Sequence, residues 1–147
     1  MSKFHFPILF SLSLSLFSQT HPINVKNTGV NMTVAILAVD SFIQLGDTIV
    51  ALYRLDDLNY KDSTPYAYPD DFAIGGLTVW KGERLAIAVW GNDSTSDKKD
   101  GFLNNEAINW AVLRNNKYVP VQLFYRLGKN SWEPNGISIV DSLKARC

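Results

Sequence analysis

Seven short apolar runs, each closed by a turn signal, constrain this chain more than any other feature. They cover residues 32–39, 48–53, 72–80, 84–90, 107–113, 118–125 and 137–143. All are rich in Val, Ile, Tyr, Trp and Phe, which suit a pleated, half-buried surface. Between them lie Gly46-Asp47, Lys81-Gly82, Gly91-Asn92-Asp93, Asn115-Asn116, Gly128-Lys129-Asn130 and Pro134-Asn135-Gly136. Gly and Asn tolerate positive φ and Pro pre-sets its own, so these are turns with a mechanism. No window keeps an apolar period of 3.6, and amphipathic helices of useful length are not expected. The pattern predicts an all-β fold: an antiparallel β-sandwich, immunoglobulin-like, of seven to eight strands.

Two hairpins follow from the spacing. Residues 77–80 and 84–90 flank Lys81-Gly82-Glu83, and residues 107–113 and 118–125 flank Arg114-Asn115-Asn116-Lys117. In the run 84–90, Leu85, Ile87 and Val89 line one face and Ala86, Ala88 and Trp90 the other. Both faces are apolar, which predicts a central strand whose alanines leave room for an indole. The core is expected around Ile36, Ile49, Ile87, Val89, Trp90, Trp110, Val121 and Leu123.

The first twenty residues have a separate logic. Lys3 precedes an apolar run over residues 6–17, followed by Ser18-Gln19-Thr20. This is the layout of a secretory signal, and the run is shorter than the roughly 20 apolar residues a membrane span needs. Residues 1–19 are therefore read as a signal peptide and 20–147 as a single domain, secreted or displayed at the cell surface. No membrane span is expected once the signal is removed. About 127 residues suit one domain with its own core. Lys+Arg and Asp+Glu number 14 each, and that neutral balance argues against nucleic acid as a partner. The only histidines are His5 and His21, and the only cysteine is Cys147. That scarcity disfavours Ser-His and Cys-His nucleophiles, most zinc sites and any internal disulfide.

From Leu45 onward the chain resembles a β-sandwich accessory module of Bacteroidota secreted and cell-surface proteins, many of them type IX secretion substrates. The residues carrying the resemblance are Leu45-Gly46-Asp47-Thr48-Ile49, Gly75-Gly76 and Val79-Trp80-Lys81-Gly82. They continue with residues 86–94, Lys99-Asp100-Gly101-Phe102, residues 106–110 and Asn135-Gly136-Ile137-Ser138. The resemblance spans nearly all of the mature chain, and its specific part runs from Trp90 to Trp110. It implies a module of a larger extracellular protein, with other domains of that parent chain as partners and no catalytic residues. Two departures stand out: a long acidic, aromatic insertion between Tyr53 and Phe72, and an end at Cys147 with no sorting domain. The chain is accordingly read as a fragment of a longer protein, with a stand-alone version as the alternative.

Three constellations could carry chemistry. The loop from Asn92 to Gly101, with Glu106 beyond it, offers Asn92, Asp93, Asp97, Asp100 and Glu106 as hard oxygen ligands. Calcium takes six to eight such ligands and is the candidate cofactor. The EF-hand spacing is not met, Lys98 and Lys99 oppose a cation, and Asp and Asn also cap turns through local backbone bonds. The insertion over 56–71 holds five carboxylates with Tyr60, Tyr66 and Tyr68. Those tyrosines could stack on sugar rings, or cover the sandwich edge. Among the tryptophans, Trp90 and Trp110 lie in strand patterns and read as core. Trp80 and Trp132 stand beside turns and read as exposed candidates for a ligand platform. The expected function is a non-enzymatic module for adhesion, ligand display or spacing, with an extracellular glycan or protein as partner. The alternative is a carbohydrate-binding module using the 56–71 loop.

Overall fold

The structure, a computed structural model, describes residues 24–55 and 71–146. It has β1 (Asn31–Ile36), β2 (Thr48–Arg54), β3 (Phe72–Val79), β4 (Leu85–Trp90), β5 (Asn109–Arg114), β6 (Lys117–Leu127) and β7 (Ile137–Ala145). Each falls on one of the seven apolar runs, and no helix occurs among the described residues. Consequently no described helix is long and apolar enough to cross a membrane.

The strands form one sheet in the order β3-β2-β5-β6-β7-β1-β4. It nearly closes into a barrel because its two end strands meet. At that seam a Cβ on Gly76 would lie 2.6 Å from the Ala88 carbonyl oxygen and 3.2 Å from the Val89 Cα. Only glycine allows β3 and β4 to come this close. Long β6 joins the two halves: Lys117 to Pro120 pair with β5, and Val121 onward pairs with β7. Pro120 stands at the handover, and its carbonyl accepts the Arg146 N–H at 3.1 Å.

The pairing departs from the predicted all-antiparallel sheet at one place. β1 and β7 run parallel, from Thr33↔Ile137 to Ile36↔Val140. These strands are far apart in sequence, so no hairpin dictates their relative direction. The second predicted hairpin forms: Arg114 pairs with Lys117, and Asn115 and Asn116 have φ of 49° and 61°. Two left-handed residues make this a type I′ turn, whose twist matches the flanking strands. The first predicted hairpin does not form a ladder, since β3 pairs with β2 alone and β4 with β1 alone. β3 is held to β2 as far as Trp80, whose N–H donates to the Asp47 carbonyl at 2.8 Å and whose carbonyl accepts the Gly46 N–H at 2.9 Å. Residues 81–84 then carry the chain across to the other half. β4 is thus an end strand, not a central one, and Ala86 and Ala88 face outward.

The core lies between the two halves. Ile49, Ala51, Tyr53, Trp110 and Val112 from one side meet Met32, Val34, Ile36, Ile87, Val89, Val140 and Leu143 from the other. Seven of the eight expected core residues are buried, and Trp90 is half-buried. β2 is covered on both faces, for Val50 and Leu52 join Ala111 in a second, outer cluster.

Candidate functional site

The residues that flank the insertion and the 92–106 loop lie at the same end of the barrel. β2 leaves the sheet there at Arg54, β3 enters at Phe72, and β4 ends at Trp90 ahead of the 92–106 loop. The Leu55 N–H donates to the Asp71 carbonyl at 2.9 Å, closing the neck of the insertion. β5 begins only at Asn109, so the next amide on β2 needs another partner. Glu106 provides it, with Oε2 accepting the Arg54 N–H at 3.2 Å. Its Oε1 accepts the Leu103 N–H at 3.2 Å and pairs with the Lys99 ammonium, which lies over the Tyr53 ring. Tyr60, Tyr66 and Tyr68 fall in the insertion and lie outside the described residues.

The 92–106 loop closes upon itself. Asn92 Oδ1 accepts the Asp100 N–H at 2.9 Å, and Asp100 Oδ1 accepts the Asp93 N–H at 2.8 Å. Asp93 Oδ1 accepts both the N–H and the hydroxyl of Thr95, at 2.9 and 2.7 Å. Those two donors hold the Asp93 carboxyl below its ordinary range. Burial pushes Asp100 up, but the Lys26 ammonium, the Asp93 N–H and the Ser96 hydroxyl outweigh it and bring it below its ordinary value. Asp97 is exposed. Asn92, Asp93 and Asp100 thus serve the loop's own donors, Asp100 taking Lys26 as well, and Glu106 divides its oxygens between the loop and β2. Among the described residues no group of three or more His, Cys, Asp or Glu could hold a metal ion. Gly101 packs on the Gly91–Asn92 peptide, where a side chain would collide with backbone.

The tryptophans divide differently from the expectation. Trp132 is 5% exposed and belongs to the core, a correction to its reading as an exposed platform. Its indole N–H donates to the Val89 carbonyl at 2.9 Å, and its ring fills the space that a Cβ on Gly91 would occupy. Sequence placed it in a loop; the Ala107↔Ser131 bridge and the Trp132 N–H donated to the Glu106 carbonyl at 2.8 Å turn that loop inward. Trp110 is also buried, and its N–H is shared between Tyr125 Oη at 3.1 Å and Asn130 Oδ1 at 3.0 Å. Trp80 stays half-buried and lines an open groove at the opposite end of the barrel.

That groove has a volume of about 630 Å³ and is bounded by Leu37, Ala38 and Val39 on one side. Trp80, Gly82, Glu83 and Arg84 form the other side. Both walls are pinned. Leu37 N–H donates to Val140 O at 3.0 Å, Leu143 N–H to Ala38 O at 3.0 Å and Asp40 N–H to Leu143 O at 2.9 Å. Trp80 is held by the Gly46-Asp47 backbone, and Asp47 is held in turn by Arg114. The guanidinium Nε donates to Asp47 Oδ1 at 2.8 Å, a second nitrogen pairs with Oδ2, and it also donates to the Phe42 carbonyl at 2.8 Å. These Arg114 bonds hold the Asp47 carboxyl below its ordinary value against the opposing pull of burial. Sequence marked Gly46-Asp47 as a turn and as part of the resemblance; nothing local links it to Arg114, 67 residues later. Glu83 and Arg84 were read only as hairpin turn and strand start, because their place at the groove depends on the fold. Comparison of the chain with protein-family models, with curated proteins and with solved structures returned no match.

Proposed function

We propose that this chain is a secreted, non-enzymatic module of a cell-surface protein, serving adhesion, ligand display or spacing. The architecture is read as an immunoglobulin-like β-sandwich in a broad sense: two halves packed over one core, with β6 common to both. The observation that carries the reading is the self-closure of the 92–106 loop. Its carboxylates hold the loop and the neck of the insertion, which makes this end of the barrel a stiff mount. The leader-like layout of residues 1–20 supports export, and the resemblance from Leu45 onward supports a place in a larger surface protein. Calcium plays no part in this reading. The clamped neck also favours a second one, in which Tyr60, Tyr66 and Tyr68 are presented from the mount to an extracellular glycan.

Replacing residues 56–70 by a short Gly-containing turn tests the mount. The shortened chain should fold and melt within a few degrees of the parent, while collapse would make the insertion a structural part. Retention on a glycan array that disappears in Tyr66→Ala would select the second reading. Export is checked by fractionation: the protein should appear outside the cell with residues 1–19 removed, and retention of the full chain in the cytosol would refute secretion.

A further inference from the structure

We propose that the groove between residues 37–39 and residues 80–84 binds an acidic oligosaccharide, with a sugar ring against Trp80 and a uronate carboxylate on Arg84. The proposal goes beyond the display reading and uses neither the insertion nor the 92–106 loop.

Two donors at the groove have no protein partner among the described residues and are open to solvent, where a ligand can reach them. Trp110 and Trp132 both have partners for their indole N–H, whereas the Trp80 indole N–H has none among the described residues. Arg114 pairs with Asp47 and Arg126 with Asp141. Arg54 and Arg146 are also engaged, which leaves Arg84 as the arginine without an ion pair among the described residues. An aromatic face with an open donor suits a sugar ring and its hydroxyls, and a guanidinium matches a carboxylate with two parallel bonds. Glu83 beside it can only accept, and sugar hydroxyls supply donors.

The groove's shape and stiffness fit the same class. It is open to solvent, as suits one or two residues of a chain lying across a surface. Its walls are fixed by the β1–β7 and Gly46–Trp80 hydrogen bonds, so binding would order little protein. An acidic peptide is the competing occupant, and the titration below separates it from a sugar.

The test is calorimetric titration of the full chain with galacturonate oligomers, the matching neutral galactose oligomers, and an oligoglutamate peptide. The uronate should bind, and the neutral oligomer roughly tenfold more weakly. Arg84→Gln should erase that difference without moving the melting temperature. Trp80→Phe keeps an aromatic ring for packing and should weaken both sugars by removing the N–H donor. Equal binding of the two sugars by the parent, or an oligoglutamate that matches the uronate, would overturn the proposal. So would the absence of binding in a chain that melts normally. None of these results bears on export or on tolerance of the shortened insertion, which test the display reading separately.

Discussion

Asp47 is 4% exposed beneath Arg114, and a carboxylate so placed stabilises the fold only while it is charged. Its folded pKa is depressed below the ordinary 3.8 by the Arg114 bonds. The stabilisation is therefore complete above the unfolded value and is lost as pH falls through the folded one. In urea unfolding at neutral pH, Asp47→Asn should cost about 1.5–3 kcal/mol, the range for hydrogen bonds to a charged group. The variant should also lose part of the parent's sensitivity below about pH 4. A variant with the parent's acid profile would show the pair contributing little. Tyr125 bears on the alkaline side. Burial pushes its hydroxyl up to about 12, with the Trp110 N–H pulling slightly the other way. A raised phenol pKa means stability held below about 10 and lost as pH rises toward 12. Absorbance titration should show a late-ionising tyrosine that disappears in Tyr125→Phe.

At the scale of elements, the Gly91–Trp132 contact ties the end of β4 to the segment before β7. Gly91→Ala would force the indole aside, at about 1–3 kcal/mol by the usual cost of overpacking. Combining it with Trp132→Leu should recover part of that loss in a double-mutant cycle, whereas strict additivity would mean the two sites do not meet. This contact also shows what could be read beforehand. The seven strands and the Asn115-Asn116 turn were legible, because alternation and left-handed turn residues are local signals. The position of β4 was not. Ala86, Ala88 and Trp90 look like a buried face, yet small apolar side chains cost little when exposed. The indole that was to pack on those alanines packs on Gly91 instead. The 92–106 loop was legible as turn chemistry, because the Asn92–Asp100 and Asp93–Thr95 bonds that close it are local, but the pairing of Lys26 with Asp100, 74 residues apart, was not. Several glycines that the sequence reading singled out are pins of the fold: Gly46 beside Asp47 at one end, Gly76 at the seam, and Gly91 with Gly101 at the other end.

For the whole molecule, the loop's internal bonding has a thermodynamic signature. Melting curves in calcium and in chelator should coincide. A bound ion at 100 times its Kd would add about 2.7 kcal/mol, or several degrees for a domain of this size. A rise of that order, absent from Asp93→Ala and Asp100→Ala, would reinstate an ion at the loop. The parallel pairing of β1 with β7 acts at the same scale. β1 begins at the end of the barrel that carries the insertion, and β7 finishes at the end that carries the groove. A pull applied before Asn31 and after Ala145 would therefore draw two neighbouring strands past each other along their length. Their hydrogen bonds would be loaded together, in shear, and would not peel apart one by one. Stretched by its ends in a force spectrometer, the domain should hold to a sharp peak and then release at once. Under the proposed role at a cell surface, tension arriving through the two ends of the domain would meet it along the axis on which it resists best.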